Sequence, residues 1–378
     1  PLRNARGGKE QEEVFVISAR LGIGKAIKYG TEVINSEGEW KRVEEMKVGQ
    51  YLIGSDGRPT KILKVRDFKN LELYKITFTD GTAIECCKDH LWTLKKFRKG
   101  LVTLTTEEIA KDYFHTDKRL GWKTRHYHLP PIAPVEFTGQ EGVIPPYIMG
   151  VLLGDGGLHG DTVFTNNDSG IVGGVSALLP PHMEVRSNGM YHAIVNKTRK
   201  GFSKNLYTEE LKRLGLMHKN SYEKWVPKEY LYTSVQTRLE LVSGLFDTDG
   251  YAQGGGRFKF KSSSPLLQKN VIELVQSLGG FVRSKDYIAC YKDSKTGEVV
   301  STRRTWTLSI SLDKDMVIPL RGRKKDRYKR VKTELRAIDK VEKIENSGGR
   351  CFIVEADDHL FLTEGYIPTH NSWVGQFI

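Results

Sequence analysis

Cysteine is scarce in this chain: four residues, Cys86, Cys87, Cys290 and Cys351, in 378. They form no even, closely spaced framework, which excludes a disulfide-stapled scaffold. Cys86, Cys87 and His90 lie together, but no second ligand pair at zinc spacing accompanies them, so no metal is expected there. Long hydrophobic runs are missing too. No stretch of eighteen apolar residues occurs, and residues 14–18 are too short for a span or a signal peptide. A cytoplasmic protein with no membrane partner is the expectation. Negative charge is the third shortage: 46 Asp and Glu against 59 Lys and Arg give a net charge of +13. The imbalance suits a polyanionic partner. Seven basic residues and one acid in the run 321–330 make nucleic acid the favoured one.

Among what is present, Thr369, His370, Asn371 and Ser372 stand out. An Asn can cut the chain behind itself: its side-chain nitrogen attacks its own backbone carbonyl, closes a succinimide and frees the next residue, here Ser372. The His370 imidazole titrates near neutral pH and can move the protons.

At 38% hydrophobic content, the chain can build two or three domains with cores. From Thr31 to about Leu104 it reads as short β runs, 61–65, 73–78 and 91–94, separated by turns at 55–57 and 79–81. Asp-Gly between alternating runs is a hairpin signal. Residues 336–345, 351–354 and 361–363 continue this style, so the two segments are expected to form one discontinuous β domain. Between them, helices are expected over 146–154, 207–214, 237–247 and 266–278, alternating with strands. That stretch also repeats itself. Residues 148–156 and 242–250 each run from small and apolar residues to a terminal Asp-Gly, Asp155-Gly156 and Asp249-Gly250. Two such helices side by side would bring Asp155 and Asp249 together, and paired carboxylates suit divalent ions that bridge to a scissile phosphate.

Three blocks carry a family resemblance: 26–33 with 48–57, then 81–93 with His90 and Trp92, then 351–372 with Cys351, His359, Thr369, His370, Asn371 and Ser372. In this order they resemble the splicing motifs of inteins, over roughly Ala26 to Asn371. The repeated Asp-Gly helices resemble the LAGLIDADG homing endonucleases, with Asp155 and Asp249 at the metal-binding positions and Lys224 at the lysine that supports a metal-bound water. Gly154 is read as replacing the first acid of the motif in the first copy. The resemblance implies a multidomain chain: an all-β Hedgehog/intein (HINT) splicing domain, discontinuous over 26–130 and 336–371, and an inserted α+β two-repeat endonuclease over 131–335. Residues 1–25 and 372–378 would then be host flanks. It further implies Mg2+ for the nuclease and no cofactor for splicing. Partners would be double-stranded DNA, the host gene lacking the insertion, and host segments in cis. A monomer is expected. Two β-saddles would read the major groove, with 257–261 and 303–309 as candidate strands.

The first splicing residue of most inteins is Cys or Ser; here it is Ala26, which has no nucleophile. Trp92, Cys351 and Thr369 resemble the signature of class 3 inteins. That implies that Cys351 attacks the Lys25 carbonyl, that His90 acts on the Lys25-Ala26 amide with Thr82 or Cys87 orienting it, and that the acyl group passes to Ser372. Asn371 then cyclises with help from His370 and His359. The alternatives are an ordinary intein whose first residue was changed to Ala26, a free-standing homing endonuclease, and an ATP-binding protein. Joining Lys25 to Ser372 would give a strand, a Gly-containing loop and a helix start, a P-loop with Ala19 at its first position. This variant resembles the large terminase subunits of phages, and the loop as it stands is split.

Overall fold

The computed structural model describes residues 25–96, 99–116, 122–198, 204–253, 257–292, 297–313, 316, 318–327 and 334–370. A small apolar cluster around Ile34, Val135 and Tyr366 accompanies the two large cores that organise them. One is all β and gathers Ile27, Val33, Leu52, Ile76, Trp92 and Leu129 from the early part of the chain with Ile338, Phe352, Phe361 and Ile367 from the late part. The other runs from Ile144 to Ile318 and mixes helices with strands.

The β core is laced together by one long ladder. Strand Pro59–Phe78 pairs antiparallel with strand Ile338–Val354 from Ile338 opposite Phe78 to Val354 opposite Ile62, with four register shifts on the way. Expected runs 61–65 and 73–78 are therefore a single strand. The stretch between them, Arg66 to Asn70, stays extended because the partner strand pairs with Arg66, Asp67 and Phe68 and again at Leu71. The turn at 79–81 leads into strand Ala83–Cys87, and Gly81 adopts the left-handed φ of 91° that such a turn needs. Short strand Ile27–Lys28 lies between Ala83–Cys87 and Ile338–Val354.

In the second core, helices Pro146–Asp155 and Val235–Asp249 pack face to face. Pro146 occupies the first turn of one, where its missing N–H costs nothing, and Ser234 caps the other by accepting from the Thr237 amide. Their contact is made by glycine. A Cβ on Gly150 would sit 2.4 Å from the Leu241 carbonyl oxygen, and one on Gly244 2.2 Å from that of Tyr147. Each helix feeds two strands, a further helix and a hairpin, and each four-stranded sheet has the same order: first, second, fourth, third. Among the described residues no helix is long and apolar enough to cross a membrane.

The mutual contact of Gly150 and Gly244 corrects the motif alignment. Counting from these glycines puts Leu153, not Gly154, opposite Asp247, while Gly154 faces Thr248, whose Oγ1 would be 2.0 Å from a Cβ there. Gly154 is a packing requirement. Asp247 itself is buried, accepts from Tyr147 Oη at 2.9 Å and from the Arg321 amide at 2.8 Å, and serves as a structural tie.

Candidate functional site

The Lys25-Ala26 peptide lies buried at the middle of the five-stranded sheet. Ile27 pairs with Arg350 on one side and Cys86 on the other, so continuing both registers by one residue sets Ala26 between Cys351 and Cys87. The Cys87 amide donates to the Ala26 carbonyl at 2.9 Å, and the Ala26 amide donates to Cys87 Sγ at 3.2 Å. Burial, with Cys351 adding to it, pushes the Cys87 thiol up to about 11, so it stays protonated at neutral pH. Cys351 is also buried and donates its thiol proton to the Phe352 carbonyl at 3.4 Å. It is close enough to the Lys25 ammonium to favour that charge, although burial draws Lys25 below its ordinary value.

His90 is fully enclosed, and its Nδ1 lies 3.2 Å from the Lys25 carbonyl oxygen. A carbonyl only accepts, so Nδ1 carries the proton and polarises the Lys25-Ala26 peptide. Burial first, then the charge of His370, lower His90 to about 3, and its Nε2 is buried with no hydrogen-bond partner. Beneath it stands a pillar whose second member, Thr106, the sequence did not disclose. Trp92, itself buried, meets the His90 ring edge on at 5.2 Å and donates Nε1–H to Thr106 Oγ1 at 3.0 Å. The Thr106 amide in turn donates to the His90 carbonyl at 2.9 Å. Cys87 orients the site through its backbone and sulfur, whereas Thr82 gives both its amide and its hydroxyl to Asp80.

A depressed His90 has a consequence for stability. The unfolded chain takes up this proton near pH 6.5 and the folded chain only near 3, so the contribution is complete above 6.5 and declines as the pH falls. Between pH 6.5 and 5 the loss should be about 2 kcal/mol. Urea unfolding at the two pH values, with His90→Gln lacking this component, measures it.

The late strand Ile367–His370 belongs to a separate four-stranded sheet and packs against strand Leu91–Lys96, which brings Thr369 and His370 towards His90. Thr369 is fully buried and bonds Thr363 Oγ1 at 3.3 Å and the Ile367 carbonyl at 3.2 Å. The rings of His359 and His370 are 6.2 Å apart, His359 holds a left-handed φ of 59°, and its buried Nδ1 has no hydrogen-bond partner. Asn371, Ser372 and the flanks 1–24 and 373–378 lie outside the described residues.

The second candidate centre is formed by the ends of the paired helices. Asp155 and Asp249 close helices Pro146–Asp155 and Val235–Asp249. Burial, then the neighbouring Asp155, push Asp249 up to about 6, and burial raises Asp155 as well. Asn166 donates to Asp155 Oδ2 at 2.5 Å. Lys224, lowered to about 8 by burial, donates to the carbonyls of Leu152, Leu153 and Gly156 at 3.0, 3.1 and 2.7 Å. A counterpart was missed in the sequence. Lys324 caps the other helix in the same way, donating to Phe246, Asp247 and Thr248 at 3.0, 2.7 and 2.7 Å. Both lysines complement the negative ends of the helix dipoles.

Two neighbouring, mutually repelling carboxylates, Asp155 half-buried and Asp249 open to solvent, whose nearby ammonium groups are engaged with carbonyls, fit a divalent cation. Among the described residues no group of three or more His, Cys, Asp and Glu converges. The remaining ligands of an ion such as Mg2+ would therefore be water and substrate oxygens, as that ion prefers.

The basic run divides on inspection. Arg321 lies over the Tyr147 ring at 4.1 Å and pairs with Glu240 at 2.8 Å, and Lys324 caps a helix, so both face inward. Arg323 is 74% exposed, and residues 328–333 lie outside the described set. Outward-facing cations are found instead on the second sheet. In strand Arg257–Ser262, Phe258 and Phe260 are buried while Arg257 and Lys261 are exposed, and in strand Val299–Ser311 the exposed Arg303 and Arg304 precede buried Leu308 and Ile310.

No family model matches the chain. Over 96% of its length it is 27% identical to a replicative DNA helicase DnaB of Mycobacterium intracellulare, and it spans 61% of the length of that curated relative. The solved structures it is similar to are inteins and a homing endonuclease. The MchDnaB-1 intein is 11% identical, with 92% of this chain and 99% of that one covered at a TM-score of 0.28. Mesophilic variants of the homing endonuclease I-DmoI are 16% identical, with 44% of this chain and 84% of that one covered at a TM-score of 0.27. At such scores neither likeness carries the functional reading, which rests on the chain's own geometry.

Proposed function

We propose that the chain is an autocatalytic protein-splicing element that excises residues 26–371, joins Lys25 to Ser372, and carries a nested site-specific DNA endonuclease. One observation carries this reading: His90 Nδ1 bonds the Lys25 carbonyl, and strand Ile367–His370 packs against strand Leu91–Lys96, which follows His90 directly, so both ends of the proposed excised segment lie beside one buried imidazole. The splicing domain comprises 26–130 and 336–371, the nuclease 131–335, and the flanks belong to a host.

Ala26 offers no nucleophile, and the Cys351 thiol takes that part. Its sulfur attacks the Lys25 carbonyl, the Lys25-Ala26 bond breaks, and the freed Ala26 amine takes a proton while His90 Nδ1–H stabilises the developing oxyanion. The acyl group moves from sulfur to the Ser372 hydroxyl. Asn371 then cyclises, with His370 and His359 exchanging protons with it, and the Ser372 ester shifts to its own liberated amine. Trp92 and Thr369 hold His90 and the late strand in place. Cys87, raised to about 11, is a poor competitor as nucleophile.

In the nuclease, Asp155 and Asp249 would hold Mg2+, which when bound supplies Lewis-acid stabilisation to a scissile phosphate. Lys224 and Lys324 lock the two helix ends that present the carboxylates, and the exposed arginines and lysines of the second sheet face duplex DNA. The host is a P-loop ATPase split at Lys25. Relatives named as replicative helicases support a helicase-type host over the terminase-type host that the loop variant alone suggested.

Incubating the purified chain and following it by denaturing gel and mass spectrometry tests the reading. Splicing releases a species with the mass of residues 26–371 and a ligated peptide joining Lys25 to Ser372. A stable full-length band that cuts DNA would leave a free-standing endonuclease instead.

A further inference from the structure

Three side chains converge on one oxygen between the two cores. Trp40 Nε1, Tyr232 Oη and Tyr366 Oη donate to Glu273 Oε1 at 2.9, 2.6 and 3.4 Å. Glu273 belongs to helix Pro265–Ser277 of the mixed core, while Trp40 and Tyr366 belong to the β region. Burial and the neighbouring carboxylate raise the Tyr232 and Tyr366 phenols, so both remain donors at neutral pH.

Tyr366 occupies a demanding place. It is buried, packs edge on against Trp40 with ring centroids 5.4 Å apart, and takes a φ of 55° directly after Gly365 at 69°. A tyrosine enters the left-handed region only when its surroundings hold it there. Strand Ile367–His370 begins at the next residue, so the direction of this turn sets where His370 points. The other side of the turn is gripped as well. Arg336 donates to the Gly365 carbonyl at 2.5 Å and pairs with buried Asp80 at 3.0 Å, and Arg283 of strand Phe281–Lys292 donates to the Thr79 carbonyl at 3.0 Å. The mixed core thus bears on both turns that lead to the junction strands.

We infer that Glu273 is a positioning residue for the second cleavage: by accepting the Tyr366 hydroxyl it holds turn 364–366 in the conformation that sets the course of strand Ile367–His370 and with it the place of His370. This rests on the splicing reading above. Glu273 touches none of the reacting atoms and acts through Tyr366.

The test compares the full chain with its Glu273→Ala and Glu273→Gln variants. In Glu273→Ala, cleavage after Asn371 slows at least tenfold, while dithiothreitol-induced release at Lys25 stays within twofold of the parent. Glu273→Gln keeps an accepting oxygen and recovers the second cleavage to within threefold. Hydrogen exchange at the amides of Ile367, Thr369 and His370, which needs no cleavage to be read, quickens at least tenfold in the Ala variant alone. Equal slowing at both junctions, a Gln variant as impaired as the Ala variant, or unchanged exchange overturns the inference and leaves splicing standing. A parent that cleaves at neither junction while the exchange changes as expected overturns splicing and leaves Glu273 as the holder of the turn.

Discussion

Replacing Cys351 by alanine should reduce formation of the ligated Lys25-Ser372 product at least a thousandfold. The register that puts Ala26 between Cys351 and Cys87 leaves two sulfurs beside the peptide proposed to break. Only one is suited to attack. Cys87 already accepts the Ala26 amide proton and is held as a thiol at about 11. Cys351 lies across the register from Ala26, and its thiol makes a contact of 3.4 Å to its neighbour's carbonyl. Removing the sulfur leaves His90 able to polarise a carbonyl that nothing attacks, and nucleophilic groups acting as a unit lose nearly all their effect when one is deleted. Time courses of parent and Cys351→Ala, read by mass spectrometry for the ligated peptide, decide the matter. Ligation in both would remove Cys351 from the mechanism. Ligation in neither would favour an element whose first Cys or Ser had been changed to Ala26, with cleavage after Asn371 as the remaining reaction.

Asp249→Asn should lower cutting of a duplex carrying the uninterrupted host sequence at least a thousandfold, with splicing within twofold of the parent. Asn keeps the shape of the side chain and removes the charge, so the helix pair built on Gly150 and Gly244 has no cause to move. What it loses is one of the two carboxylates proposed to hold a divalent ion. Mg2+ should accordingly raise the melting temperature of the parent and not of the variant. A plasmid-linearisation assay run beside the splicing gel measures both activities on one preparation. Equal loss of both would contradict separate centres.

The sequence disclosed most where local chemistry and tertiary role coincide. The terminal Asp-Gly of each repeat marks a helix end, and helices expected over 146–154 and 266–278 lie at Pro146–Asp155 and Pro265–Ser277, where proline at the first turn and capping by Ser264 reinforce the second. It disclosed least where a residue's partner is distant. Lys324 sits in a run that reads as a DNA-facing stripe, yet its ammonium is claimed by three carbonyls of a helix ending 75 residues earlier. Thr106 and Glu273 look like ordinary helix residues, because their significance lies in Trp92 and Tyr366. Arg66 to Asn70 read as a break for the same reason, since the ladder that keeps them extended comes from residues 347–351.

That ladder also sets an order of events during synthesis. Phe78 must wait for Ile338, about 260 residues later, before the two strands can zip. At about 5–20 residues per second a ribosome needs roughly 13–50 s to supply the partner. The mixed core is drawn wholly from residues between those two strands, so it can collapse while Pro59–Phe78 still lacks its mate. An intervening unit that folds on its own shortens the effective loop the late strand has to close. Under the proposed splicing reaction, the peptide bond at Lys25 would stay an ordinary amide throughout this interval and become reactive only once the late strand has been made.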